Sequence, residues 1–161
     1  MISVLFVCTG NICRSPTAEG VFQTLVNECT LADDIQVDSA GTHDWHKGNP
    51  PDPRSTEAAA RRGVDLSRQR SRPITAADFS TFDYILAMDV DNYDILRAQY
   101  PAGAKSRLEY FLDFAPDIDL QEVPDPYYGG ARGFEDVLDM IETASLGLLA
   151  DIQNRHLTVT T

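Results

Sequence analysis

Residues 3–7, Ser-Val-Leu-Phe-Val, carry an apolar side chain at every position after the serine, so an extended segment here leaves neither face for water. A strand of that composition has to be covered on both sides, as strands are in parallel sheets flanked by helices. The rest of the chain meets that demand. Residues 15–29 set Val21, Phe22, Leu25 and Val26 on one helical stripe, with Ser15 as the expected N-cap and Pro16 at the first helical position. Residues 35–41 read as a second strand ended by Gly41, 55–63 as a helix closed by Gly63, and 83–88 as a third strand. A helix over 91–101 stops at Pro101, 105–111 make a fourth strand, and 134–154 a final amphipathic helix. Strands separated by helices need crossover connections. The expected architecture is therefore one α/β domain over residues 1–161, a parallel sheet with helices on both faces, and 161 residues suit a single core.

Charge and cysteine content then exclude several functions. A formal net charge of −12 opposes a life on nucleic acid or on an anionic membrane, since both select a positive surface. The first eight residues lack a basic start and hold only a short apolar run, which fits neither a signal peptide nor a membrane span, so a cytoplasmic protein is expected. Three cysteines cannot make a paired disulfide framework, and no Cys and His cluster has zinc-ligand spacing, so neither metal nor cofactor is expected. Seven of the thirteen basic residues fall within 47–72, and among them Arg61, Arg62 and Arg68 read as a solvated face.

One short stretch has no packing explanation. Cys8-Thr-Gly-Asn-Ile-Cys13-Arg14 leaves the first strand and enters the first helix, at the carboxyl end of the sheet where ligands of open α/β folds sit. Its backbone N–H groups can form a concave nest, and the following helix adds partial positive charge. Both features invite an anion. Arg14 at a helix N-terminus opposes the macrodipole, and a phosphate between the two, held bidentately by the guanidinium, resolves that conflict. A thiol in the same field has thiolate character and can attack phosphorus, dividing one displacement into two easier ones. Ser15 either caps the helix or donates its hydroxyl to Cys8. A leaving alkoxide or phenolate needs a proton, and the late loop offers Asp113, Asp117, Asp119 and Asp125. Asp125 stands out, stiffened by Pro124 and Pro126 and flanked by Tyr127 and Tyr128, which are expected to desolvate it in part.

The stretch VLFVCTGNICRSPTAE resembles the active-site signature of the low molecular weight protein tyrosine phosphatases, and VDSAGT, NPPDPRS, DYILAMD and VPDPYYGG extend the likeness over nearly the whole chain. The resemblance implies a flavodoxin-like, four-stranded parallel sheet with Cys8 as nucleophile and Arg14 as phosphate clamp. Phosphate contacts from the backbone of Thr9, Gly10, Asn11, Ile12, Cys13 and Arg14 follow, with Ser15 bonded to the thiolate and Asn11 holding the loop through Ser15 and Ser39. Asp125 becomes the general acid, within the family's D-P-Y-Y motif. Trp45, Tyr127 and Tyr128 become the walls of a pocket deep enough for phosphotyrosine and too deep for phosphoserine. Ile12 suits an apolar phenyl ring, whereas related arginine phosphatases carry threonine there. Cys13 is similar to residues that form a reversible disulfide with the nucleophile, and Tyr127 and Tyr128 to residues phosphorylated by partner kinases. His43, His46 and His156 are given no catalytic role, and Arg68 falls where some animal members carry a histidine of the loop-supporting network. The implied partners are phosphotyrosine-containing proteins and a cognate tyrosine kinase, acting on a monomer.

Two rivals share the loop. A thioredoxin-coupled arsenate reductase of the same fold needs a relay of downstream cysteines, and this chain has only Cys29 after the loop. A phosphopeptide-binding module would use Arg14 and the nest, yet has no need of Cys8 together with Asp125.

Overall fold

The structure, a computed structural model, describes residues 1–128 and 131–157, without the side chains of Tyr128 and Ala131. Four strands, β1 (Ile2–Cys8), β2 (Ile35–Gly41), β3 (Tyr84–Ala87) and β4 (Arg107–Tyr110), form one parallel sheet in the order β2-β1-β3-β4. The helices are α1 (Arg14–Glu28), α2 (Pro53–Ala60), the single turn α3 (Asp78–Thr81), α4 (Val90–Gln99) and α5 (Ala131–His156). The flavodoxin-like expectation of a four-stranded parallel sheet between helical layers holds.

The apolar run of β1 explains the layering. Val4 and Phe6 face a large core built with α1, α2 and α5, where Phe6 meets the edges of Phe22 and Phe111 at centroid distances of 5.8 and 5.0 Å. Such edge contacts add about 0.5–1.5 kcal/mol each to the burial itself. Leu5 and Val7 face a smaller core with Phe79, Phe82, Ile85 and Leu96. A strand with both faces fully buried has no slack in register, because a one-residue slip would exchange the two cores. Cys8 is thereby pinned opposite Gly41, and Val7 opposite Ala87.

Local differences from the sequence reading have physical causes. Ser15 is not the N-cap: Cys13 holds that place without a side-chain bond, and Ser15 lies inside the first turn with its hydroxyl committed to the loop. The turn α3 went unread because four residues give no periodicity. Arg61 is solvated as expected, at 53% exposure, but Arg62, at 24%, is not. Arg62 reaches Glu135, Asp139 and Glu142 on α5 at 2.7, 2.9 and 3.2 Å, and Arg61 reaches Glu135 at 2.9 Å, so the basic end of α2 is tied to the acidic face of α5. Among the described residues no helix is long and apolar enough to cross a membrane.

Candidate active site

The loop between β1 and α1 has its carbonyls turned into the scaffold. Cys8 O accepts from Thr42 N, Thr9 O from His43 N, Gly10 O from the Ser71 hydroxyl, and Ile12 O from Asp52 N, at 2.8–3.1 Å. The N–H groups of residues 9–13 donate to no acceptor among the described residues, and they belong to the same turn. Pinning one set of dipoles outward aims the other inward, which is the construction of an anion nest. Asn11 sits at the turn with φ of 56°, in the left-handed region that asparagine tolerates. A side chain on Gly41 would meet Thr9 O at 2.8 Å, so the loop can close against β2 only because that residue is glycine.

Two sets of contacts shape the ends of the loop. At Cys8, buried to 3% exposure, Sγ lies 3.0 Å from Ser15 Oγ. Ser15 Oγ accepts from Asn11 Nδ2 at 2.7 Å, which leaves its own proton for the sulfur at 3.0 Å or for the Ala40 carbonyl at 3.4 Å, the nearer acceptor being the sulfur. Asn11 Nδ2 also donates to Ser39 Oγ at 3.0 Å, Asn11 Oδ1 accepts from Arg72 N at 3.1 Å, and Ser39 donates to Glu19 Oε1 at 2.7 Å. Arg68 takes no part and lies exposed; Ser71 and Arg72 stand in its place, because the last residue of β2, Gly41, pairs with this segment at Pro73.

Arg14 is the other end. Its guanidinium, only 3% exposed, donates through Nη1 to Asp89 Oδ2 at 2.7 Å and to Val123 O at 3.0 Å. Burial alone would loosen its proton, but Cys8, Asp89 and Asp125 outweigh that and push its pKa above the usual arginine value. Val123 N in turn donates to Met88 O at 2.7 Å, which fixes the late loop on the end of β3 and carries Asp125 over the site. Asp125 Oδ2 stands 3.7 Å from Arg14 Nη2, and Oδ1 accepts from Tyr127 N at 3.0 Å. The expected desolvation of Asp125 is not seen, since its side chain is 44% exposed in the cleft it lines with Tyr127.

These groups line one cleft of about 290 Å³ with Ile12, Trp45, His46 and Tyr127. Of the four late-loop aspartates only Asp125 lies on it. Trp45, 67% exposed, stacks on His43 at 4.2 Å and is free to meet a bound ring. Arg54 lies over the Tyr127 ring at 5.3 Å and over Phe134 at 4.8 Å, bracing that wall against α5. The Tyr128 side chain lies outside the described residues.

The match to the family described as low molecular weight phosphotyrosine protein phosphatase spans residues 3–157. This chain belongs to that family. It is a hydrolase of the class that uses a cysteine nucleophile, and Cys8 is the cysteine in the expected position. It is 45% identical over 153 residues to the low molecular weight protein-tyrosine-phosphatase YfkJ of Bacillus subtilis, covering 95% of this chain and 97% of that one. The human low molecular weight phosphotyrosine protein phosphatase is 44% identical over 137 residues, with 84% and 85% covered. Among solved structures, the protein tyrosine phosphatase of Entamoeba histolytica with Hepes in its active site superposes with a TM-score of 0.92 at 41% identity, over 96% of this chain and 98% of that one.

Sequence reasoning overlooked Asp89, Asn92 and Glu19, and gave His46 no part in the site. Asp89 had a signal, since it directly follows the apolar run of β3 and so stands at a carboxyl strand end, where site residues collect. His46 read as a surface loop histidine, but it rests on the backbone of Gly10, where an added Cβ would meet its Cδ2 at 2.8 Å.

Proposed function

We propose that the chain hydrolyses phosphotyrosine and other aryl phosphate monoesters through a cysteinyl-phosphate intermediate, with Cys8, Arg14 and Asp125 as the reacting groups. The observation that carries this reading is the convergence on one cleft of a buried sulfur beside a serine hydroxyl, a buried guanidinium, loop N–H groups with no acceptor among the described residues and an exposed carboxyl. The phosphoryl group rests on residues 9–14, where the N–H nest and the Arg14 fork take up the charge of its oxygens. Cys8 Sγ attacks phosphorus as the P–O bond to the phenol breaks, and Asp125 gives its proton to the departing oxygen. The Asp125 carboxylate then takes a proton from water, whose oxygen attacks phosphorus as the S–P bond breaks. The Ser15 proton stabilises the thiolate that leaves. The net change is ester plus water to phenol plus inorganic phosphate.

Ile12, half-buried at the wall, together with Trp45 and Tyr127 suits a phenyl ring, and the depth of Cys8 selects the longer reach of phosphotyrosine over phosphoserine. Phosphotyrosine-bearing proteins are the corresponding substrates, met by a cytoplasmic monomer. Tyr127, 38% exposed, and Tyr128 are its own sites for a cognate kinase. Cys13 is the resolving thiol. Burial pushes it up to about 12, against the Ser55 hydrogen bond and with Asp52 and Cys8 adding to the rise, so it stays neutral while Cys8 reacts. Once a peroxide has oxidised Cys8 to the sulfenic acid, the Cys13 thiol condenses with it to a disulfide and water.

Rapid mixing with p-nitrophenyl phosphate tests the reading. A burst of nitrophenol followed by slower turnover, both abolished in Cys8→Ser with phosphate binding retained, is the expected result. Turnover unchanged in Cys8→Ser would overturn it, and binding without any turnover in the wild type would favour the phosphopeptide module.

A further inference from the structure

Thr9 carries a hydroxyl that the loop's backbone role does not use. The residue lines the cleft, and its Oγ1 accepts from Asn92 Nδ2 at 3.1 Å and from Arg14 Nη2 at 3.4 Å. A hydroxyl oxygen has two lone pairs and one proton. With both lone pairs engaged, the proton is the only capacity left, and among the described residues nothing accepts it. Its neighbour Arg14 Nη2 is also the nitrogen nearest Asp125, so the hydroxyl stands on the side of the cleft where the phosphoryl oxygens turn toward the acid.

Asn92 explains why the hydroxyl is so arranged. It is wholly buried in the first turn of α4, its backbone N–H takes the Asp89 cap at 2.7 Å, and its side-chain donor goes to Thr9. Its Oδ1 is buried with no partner. An apolar residue of similar size would spare the fold that orphaned carbonyl. What the amide accomplishes is the bond to Thr9, and through it a fixed direction for the Thr9 proton. The same turn thus braces the site twice, Asp89 on the guanidinium and Asn92 on the hydroxyl.

We infer that the Thr9 hydroxyl is a phosphoryl-oxygen donor in its own right, beyond the backbone nest, and that Asn92 is the residue that positions it. The assignment rests on the phosphatase reading and adds a side-chain contact to it. The bond strengthens as charge gathers on the phosphoryl oxygens, so its loss falls on kcat/KM and on anion binding together.

Thr9→Val keeps the shape and removes the hydroxyl, while Thr9→Ser keeps the hydroxyl. The valine variant is expected to lose about ten-fold in kcat/KM for p-nitrophenyl phosphate and to raise the Ki of inorganic phosphate by a similar factor, with the nitrophenol burst still present. The serine variant stays within about two-fold of wild type. Asn92→Leu, checked by its melting curve, repeats the loss in the wild-type background and adds nothing in the Thr9→Val background. Phosphate affinity and turnover unchanged in Thr9→Val would overturn the inference, because the proton would then be spent on the Asn92 carbonyl. A full additional loss in the double variant would remove Asn92 from the role. Absence of any turnover in the wild type would instead strike the phosphatase reading itself.

Discussion

The two ends of the loop are held by unlike scaffolds. Around Cys8 the supports are neutral hydroxyls and an amide, Ser15, Asn11 and Ser39, and the nearest carboxyl, Glu19, comes only at the end of the chain of bonds. Around Arg14 the supports are a carboxylate at 2.7 Å and a backbone carbonyl. The difference follows from what each end must do. A buried cation without a counter-charge is strongly destabilising, so Arg14 needs Asp89. A nucleophile must keep its electron pair for the substrate, so Cys8 is given a shared proton and no ion pair of its own.

Breaking the charged side gives the largest effect. Arg14→Lys keeps the charge and loses the planar fork, and kcat/KM for p-nitrophenyl phosphate is expected to fall about 10³-fold, or about 4 kcal/mol, with vanadate affinity falling alongside. A loss below ten-fold would mean that charge alone suffices and that the geometry set by Asp89 is idle.

Breaking the neutral side is milder for binding and harder on the fold. Asn11→Ala places a Cβ-bearing residue without a compensating amide at a φ of 56°, takes one donor from Ser15 and from Ser39, and strands the Arg72 N–H. A stability loss of about 2–4 kcal/mol is expected in urea titration. The variant should lose more in kcat than in phosphate affinity; equal losses in both would show that the two sides are one unit.

The smallest effect sharpens the contrast. Burial pushes the Glu19 carboxyl up to about 7, with Asp38 adding and the Ser39 bond and Arg72 opposing. The folded value lies above the unfolded one, so the stability that Glu19 contributes below about pH 4.5 is lost as pH rises through about 7. Glu19→Gln keeps an acceptor for Ser39 and removes the titration. Melting curves should show the variant gaining on wild type between pH 5 and pH 8 by about 1–3 kcal/mol. An identical difference at both values would place the titration elsewhere.

The contiguous part of the site was legible: Cys8, Asn11, Arg14 and Ser15 lie within eight residues, and the neighbouring strand and helix fix their order in space. Asp125 was legible as a residue, but its exposure was not, because the placement of the late loop depends on Val123 joining Met88 and Arg14. Arg62 was misread as a surface residue for a related reason. Charge on a helix looks solvated until the partner helix is known, and α5 follows more than 65 residues later.

The sequence by itself determined the layered parallel sheet, through a β1 run that no half-exposed strand can contain, and the loop chemistry, through residue types that have no packing purpose at a helix entrance. Tertiary structure alone decided which groups complete the site. Asp89 and Asn92 reach it from the start of α4, Glu19 from α1 and His46 from the loop after β2, and their contacts depend on strand register and on distances of a few ångströms. No local pattern encodes such distances, because each is the joint result of how two buried faces of one sheet are packed.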